Sequence, residues 1–345
     1  MKYVNIAVGW LWRRKALIGI ALASALLFFV WLFPFSDLSQ VLTTVVAQST
    51  GNQVYVQPET LDVHLLPQPA VSATNVSIET MLPPLEAKWV KFRPSLMSLL
   101  LNIGTIMKAQ RGDAEAQKAM ATRFGFSFSA EGLLGGDVDL SYGPGRKAEG
   151  GGERARARLQ IEELNLDSLR DWADLAQKIQ GRANVDTDIQ FSPDFTDQPE
   201  GEFNVRVEKF NMPAGVAMIP MNGVSMPVNY PGLTLANAVL KGRLVGGSLV
   251  IEDGQFGQGK DPLYGRIKGQ FDLKMIRTPA GVAPQFGKYA VTVDLNANHA
   301  MLKELGFVFM FLDKAKTGTT AGARYLFRAQ GYVGSQADIT RLTTF

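Results

Sequence analysis

The sequence predicts a mainly β protein: a single N-terminal transmembrane helix, then an elongated, curved antiparallel β-sheet folded over a hydrophobic groove, with a few short capping helices. Three observations carry this. An uncharged run at 16–35 (ALIGIALASALLFFVWLFPF) spans ~30 Å as a helix, the thickness of a bilayer's hydrocarbon core. Beyond it, segment after segment alternates apolar and polar residues with a period of two, the pattern of strands with one dry and one wet face. Helical segments are too few to cover a parallel sheet, so the dry face must meet another sheet, a helix or a lipid tail.

Residues 1–15 read as a basic cytoplasmic tail. Lys2, Arg13, Arg14 and Lys15 precede the run, and the first charge behind it is Asp37, which orients the N-terminus to the cytoplasm. A cleaved signal peptide is the rival reading, but its apolar core is usually ~7–15 residues and ends at a small-x-small site. Here the run is longer and ends in Trp31, Phe33, Pro34 and Phe35, with the Ala21–Ala23 pair inside it. An uncleaved anchor is therefore expected, with residues 36–345 beyond the membrane.

Charge follows the same division. The chain holds 35 basic and 32 acidic residues; removing the four basic ones before the run leaves 31 against 32, a net of −1. The positive balance belongs to the anchor. No basic patch with interleaved aromatics occurs, which argues against a nucleic-acid partner. With no cysteine, disulfides, thiolate metal sites and cysteine catalysis are excluded.

In chain order, residues 36–50 suit a capping helix. Ser36 can cap it, Leu38, Val41, Leu42 and Val45 form its stripe, and Gly51 can end it. The stripe lies on the membrane interface or, preferably, plugs the end of the following domain. Strand signals begin at Val54 and Val56, then Leu61, Val63 and Leu65, then Ala73, Val76 and Ile78, then Trp89, Val90 and Phe92. Pro94 to Leu101 opens like a helix, and 103–121 reads as a polar helical insertion. From Arg123 the period is two: Phe124, Phe126, Phe128 and Ala130, then Val138, Leu140 and Tyr142. After a Gly-rich loop at 143–152, Ala155, Ala157, Leu159 and Ile161 alternate with Arg154, Arg156 and Arg158.

One helix interrupts the strands, with Asp167 as its cap and Leu166, Leu169, Trp172, Leu175 and Ile179 as its stripe before Gly181. Strands resume with Ala183, Val185, Thr187, Ile189 and Phe191, then Phe203, Val205 and Val207, then Leu249 and Ile251. Ile267, Phe271, Leu273 and Met275, then Val291, Val293 and Leu295, then Phe327 and Ala329 close the series. The uncharged stretch at 212–231, rich in Met, Pro and Gly, reads as an irregular apolar flap.

Candidate chemistry is sparse. Gly254 to Lys260 (GQFGQGK) fits G-x-x-x-x-G-K, but Asp261 and Pro262 follow where a phosphate loop needs Ser or Thr and a helix. It reads as a hairpin turn. His64 and His299 are the only histidines, too few for a His-rich metal site. Asp137 with Asp139, and Asp186 with Asp188, share strand faces opposite apolar residues, as solvated edges do. Arg154, Arg156 and Arg158 could meet lipid phosphates, although a solvated face is the plainer account. No nucleophile–base arrangement appears, so a non-enzymatic protein without cofactor or metal is expected. The groove-lining candidates are Ala183, Val185, Ile189, Phe191, Ile267, Phe271 and Leu273.

A succession of segments resembles a known family. The basic N-terminus, the span with Phe33-Pro34-Phe35, Leu65-Leu66-Pro67, Asn75-Val76-Ser77-Ile78 and Pro94-Ser95-Leu96-Met97-Ser98-Leu99-Leu100 resemble the opening of type II secretion system protein N (GspN), a relative of the AsmA-like proteins. The stretch from Leu169 to Ile179 before Gly181-Arg-Ala-Asn-Val, and those from Leu233, Gly247 and Tyr264, are similar to its later strands. The insertion at 103–121 and the flap at 212–231 depart from the family. The resemblance implies a single-pass protein of the bacterial inner membrane with its bulk in the periplasm. Its partners would be other secretion-system subunits, in the inner-membrane platform or the outer-membrane channel, and it would assist export of folded proteins. The AsmA-like relatives imply the alternative of a hydrophobic groove carrying phospholipid between membranes. The dry face discriminates: interdigitation with a facing sheet means a closed scaffold, whereas an open apolar lining suits acyl chains.

Overall fold

The computed structural model describes residue 43 and residues 55–345, apart from 65–67, 80–82, 148–151, 174, 176, 194, 222–223, 279–280, 311, 320–321 and 336. The apolar run at 16–35, the flanking Arg13, Arg14 and Lys15, Leu65-Leu66-Pro67 and, except for Thr43, the expected capping helix at 36–50 lie outside these residues. Among the described residues no helix is long and apolar enough to cross a membrane.

The alternating segments do form strands. The first are β1 (Tyr55–Gln57), β2 (Thr60–His64), β3 (Ala70–Glu79) and β4 (Leu85–Pro94). Three short helices follow: α1 (Leu96–Leu101), α2 (Ile103–Gln110) and α3 (Ala114–Arg123). Then come β5 (Phe126–Leu133), β6 (Gly136–Pro144), β7 (Ala155–Asn165), α4 (Leu166–Trp172), β8 (Gln180–Phe191) and β9 (Glu200–Met212). The hairpin β10 (Gly215–Met221) and β11 (Val224–Tyr230) precedes β12 (Leu233–Val245), β13 (Ser248–Phe256), β14 (Leu263–Thr278) and β15 (Gly281–Asn298). Helices α5 (His299–Glu304) and α6 (Gly306–Met310) and a 3-10 turn (Asp313–Ala315) lead to β16 (Lys316–Thr319), β17 (Gly322–Tyr332) and β18 (Asp338–Arg341).

Sixteen of these strands make one antiparallel sheet whose neighbours follow chain order almost throughout, with β9 passing directly to β12. The connections are tight where the sequence allows it. Gly246 and Gly247, with φ of 58° and 79°, join β12 to β13 in two residues, the geometry whose twist matches that of the strands. Both edges are blunted. One edge of β3 carries the short β1 and β2, and the outer edge of β17 carries β16 and β18. Short, broken edge strands offer little template for edge-to-edge association.

Helices sit at the two ends of the strands. At one end lie α1–α3, between β4 and β5, and residues 192–193 and 195–199, between β8 and β9. At the other lie α4, the hairpin β10–β11, and α5–α6 with the 3-10 turn. Two buried clusters anchor the sheet's flanks. Leu61, Ala73 and Val76 form one; Met301 of α5, Phe309 of α6, Ala315, Tyr325 and Phe327 are the heart of the other.

Several local expectations are corrected. The helix expected from Leu166 to Ile179 ends at Trp172, with Ala173 as its C-cap, and its N-cap is Asn165, whose side chain accepts from the Asp167 N–H. Asn165 wins because it ends β7 in extended geometry, the conformation an N-cap requires. Arg123, expected to open a strand, is the last residue of α3, and β5 begins at Phe126. Asp113 starts α3 by accepting from the N–H groups of Glu115 and Ala116, so the helix nucleates there and runs to Arg123, with the extended Phe124 as its C-cap. The stretch at 212–231 is not irregular: it pairs from Gly215↔Tyr230 to Met221↔Val224. Pro220 and Pro227 are accommodated because this hairpin is a two-stranded sheet of its own, where each strand has a free edge.

Candidate functional site

The polar face of the sheet explains the charged candidates. Arg156 grips Asp188 through two hydrogen bonds, one of 2.7 Å, and Arg158 lies 3.8 Å from the same carboxylate. The Arg156 hydrogen bond, against a smaller cost of burial, holds the Asp188 carboxyl below its ordinary range. Arg154 reaches Asp197 at 2.6 Å and Glu200 at 2.7 Å. Burial works against the charge on Asp197, but hydrogen bonds from Ser192 and Arg154 outweigh it and hold the pKa below its ordinary value. Asp139 accepts from Ser129 at 2.5 Å. The Arg triplet is thus met by the carboxylates of Asp188, Asp197 and Glu200, while Asp137 and Asp139 accept from the Gly132 N–H and the Ser129 hydroxyl. His64 sits 3.0 Å from the Ser72 hydroxyl, and His299 opens α5. Asp261, which follows GQFGQGK, accepts from the N–H groups of Gln258 and Ala236.

The opposite face is where register becomes informative. Directly paired residues point to the same side, so cross-strand partners can be followed across the whole sheet. One row runs Leu61, Ala73, Val90, Ala130, Val138, Ile161, Val185, Val205, Leu240, Gly254, Ile267, Val293, Phe327. Thirteen strands contribute without a polar side chain, and the row ends at the sheet edge on Arg341 of β18, which pairs with Phe327. The row beside it runs Val63, Val71, Phe92, Phe128, Leu140, Leu159, Thr187, Phe203, Gly242, Ile251, Gly269, Val291, Ala329, Ile339. Its one polar group is the Thr187 hydroxyl.

The seven groove-lining candidates belong to this face. Val185 and Ile267 lie in the first row, and Ala183, Ile189, Phe191, Phe271 and Leu273 flank the rows by the alternation of β8 and β14. The sheet does not bring the two groups together, because β9, β12 and β13 separate β8 from β14, four spacings or roughly 19 Å. Val205, Leu240 and Phe203, which fill that gap, were not among the candidates. The alternation of Phe203 and Val205 was visible, but nothing local in the sequence tells which strands become neighbours.

Burial decides what this face meets. Of the larger side chains in the two rows between β5 and β14, only Ile251 is buried; the others are half-buried. A facing sheet that interdigitated with them would leave core-like burial. At one end the face is enriched in rings. Phe92, Phe126, Tyr142, Phe191 and Phe195 follow one another with centroids 5.3 to 6.4 Å apart, and the Tyr142 hydroxyl donates to the Ala121 carbonyl of α3. A cleft of about 600 Å³ opens there, lined by Pro94, Leu96, Met97, Phe126 and Tyr142, with Arg93 and Gln68 at its margin.

Apart from Arg341 at the β18 edge, neither row holds a titratable side chain, so a ligand on this face is held by dehydration and dispersion, at ~0.8 kcal/mol per buried CH₂. Comparison with protein-family models, curated proteins and solved structures returned no match to the chain.

Proposed function

We propose that the protein is a non-enzymatic, membrane-anchored carrier that holds phospholipid acyl chains on the apolar face of its sheet. The observation that carries this reading is the pair of apolar rows crossing thirteen and fourteen strands while their side chains stay half-buried. Among the described residues six strand pairs contain register shifts, including those at Ile161/Leu164, Lys241/Gly242 and Phe271/Leu273. Bulges bend and twist strands, which supports a sheet curved over this side as a trough. The span at 16–35 would tether it, N-terminus in the cytoplasm, to the bacterial inner membrane with the sheet in the periplasm.

A photo-crosslinking amino acid at Val205 tests the carrier in its native membrane, with Lys241 on the polar face as the control. Lipid adducts at Val205 and none at Lys241 are the expected outcome. Equal labelling, or none at Val205, refutes it.

The resemblance to type II secretion protein N favours a second reading, a component bridging secretion subunits in the inner membrane and the outer-membrane channel. Deleting the gene separates the two. Loss of folded exoproteins from the medium with an intact outer-membrane barrier supports secretion; a leaky barrier with unchanged secretion supports lipid carriage.

A further inference from the structure

Helices α1 and α2 are amphipathic in the inverted sense. At 3.6 residues per turn, Leu96, Met97, Leu100 and Leu101 share an arc of roughly 140° on α1, and Ile103 and Met107 lie one turn apart on α2. They are the exposed ones, with 43, 67, 64, 76, 50 and 51% of their surface open. The small polar residues face the protein instead. Ser98 donates to the Arg123 carbonyl, Asn102 donates back to the Ser98 carbonyl at 2.8 Å, and Thr105 and Ala109 lie on the same inner side. A soluble surface helix has the opposite arrangement, and a contiguous exposed aliphatic patch of this kind marks a binding surface.

We infer that the outer face of α1–α2 docks on an anionic phospholipid bilayer. Charge favours that occupant. Between Glu86 and Asp113 the chain has no acid and five cations, Lys88, Lys91, Arg93, Lys108 and Arg111. Arg93 lines the cleft beside Leu96 and Met97, and Lys108 and Arg111 are exposed at the far end of α2. Aliphatic side chains flanked by cations are the composition of an interfacial helix. Protein-binding hot spots instead favour Trp, Tyr and Arg at their centre, and here the centre is wholly Leu, Ile and Met. The nearest acids after α2, Asp113 and Glu115, begin α3, where Asp113 is engaged in capping.

Which bilayer is met depends on direction. Tyr55 pairs with Glu79 at one end of β3, whereas α1 leaves β4 at the other. The docking face therefore lies at the opposite end of the strands from the point where the chain arrives from its apolar run. The inference does not rest on lipid carriage, since a closed scaffold could dock in the same way.

The absence of cysteine makes the test direct. The full chain is reconstituted into vesicles with single substitutions Leu100→Cys, Met107→Cys and, on the polar face, Gln160→Cys, each carrying an environment-sensitive fluorophore. Nitroxide-labelled lipid is placed in the host vesicles or in added ones, with or without phosphatidylglycerol. At least threefold quenching is expected at 100 and 107 over that at 160, stronger with the anionic lipid, and lost at 107 when Leu100→Glu and Leu101→Glu are introduced. Quenching in the host supports docking on the anchoring bilayer, and quenching from added vesicles supports docking on a second one. No quenching at 100 and 107 above that at 160 in either arm overturns the inference, as does quenching that survives the double Glu variant with unchanged circular dichroism. Any of these failures leaves crosslinking at Val205 as a separate measurement.

Discussion

Adding the same methyl group at two glycines should move stability in opposite directions. Gly242 lies in the second apolar row between Phe203 and Ile251. A Cβ built there comes within 2.7 Å of the Phe203 ring and collides with the Val250 carbonyl. The ring can swing aside only by leaving its row, and the carbonyl belongs to the β12–β13 ladder. Overpacking of this kind costs ~1–3 kcal/mol, so Gly242→Ala should lose about 2–3 kcal/mol. Gly104 is in α2 with nothing within 4 Å of its built Cβ, and Ala there gains up to ~1 kcal/mol of helix propensity. The two variants should differ by about 3–4 kcal/mol. Urea unfolding of the full chain in mild detergent, followed by tryptophan fluorescence, reads this as a shift in midpoint at constant slope. A Gly242→Ala variant as stable as the parent would mean that the row is not packed as described.

Two further outcomes can be checked with the same assay. Phe309 of α6 is buried and stacks on Tyr325 with centroids 5.0 Å apart, so Phe309→Ala should cost ~3–5 kcal/mol; a loss under about 1 kcal/mol would show that the end cluster does not hold the sheet. Stability should also fall in acid. Hydrogen bonds and charge from Arg156, and from Arg123 at Glu153, hold Asp188 and Glu153 below their ordinary pKa values. Unfolded carboxylates take protons near pH ~4, so below that the unfolded chain binds more protons, and stability drops as pH falls through the lower native values. Arg156→Gln should flatten this acid limb by a modest amount, because Arg156 is half exposed; an unchanged limb would exclude the pair.

Much of the sheet was legible because alternation is a local property. A strand with Val138, Leu140 and Tyr142 on one side and Asp137, Asp139 and Ser141 on the other declares both its class and its dry face, whatever it pairs with. Helix ends were less legible. Asn165 and Asp167 are both competent caps, and the choice depended on where β7 stops. The hairpin at 215–230 hid behind its Pro and Gly residues, since a free-edged strand pair tolerates what a central strand does not.

The face proposed as a site divides in the same way. From the sequence alone came the mainly β class, the uncharged run at 16–35, the absence of cysteine chemistry and the membership of Val185 or Ile267 in an apolar face. Tertiary structure decided that thirteen such residues align without a polar interruption, because register is set by pairings far apart in the chain. It also decided that they stay half-buried, and that α1–α2 turn Ser98 and Asn102 inward and Leu100 and Leu101 outward. A helix pattern states which residues share a side; only packing against α3 states which side meets water.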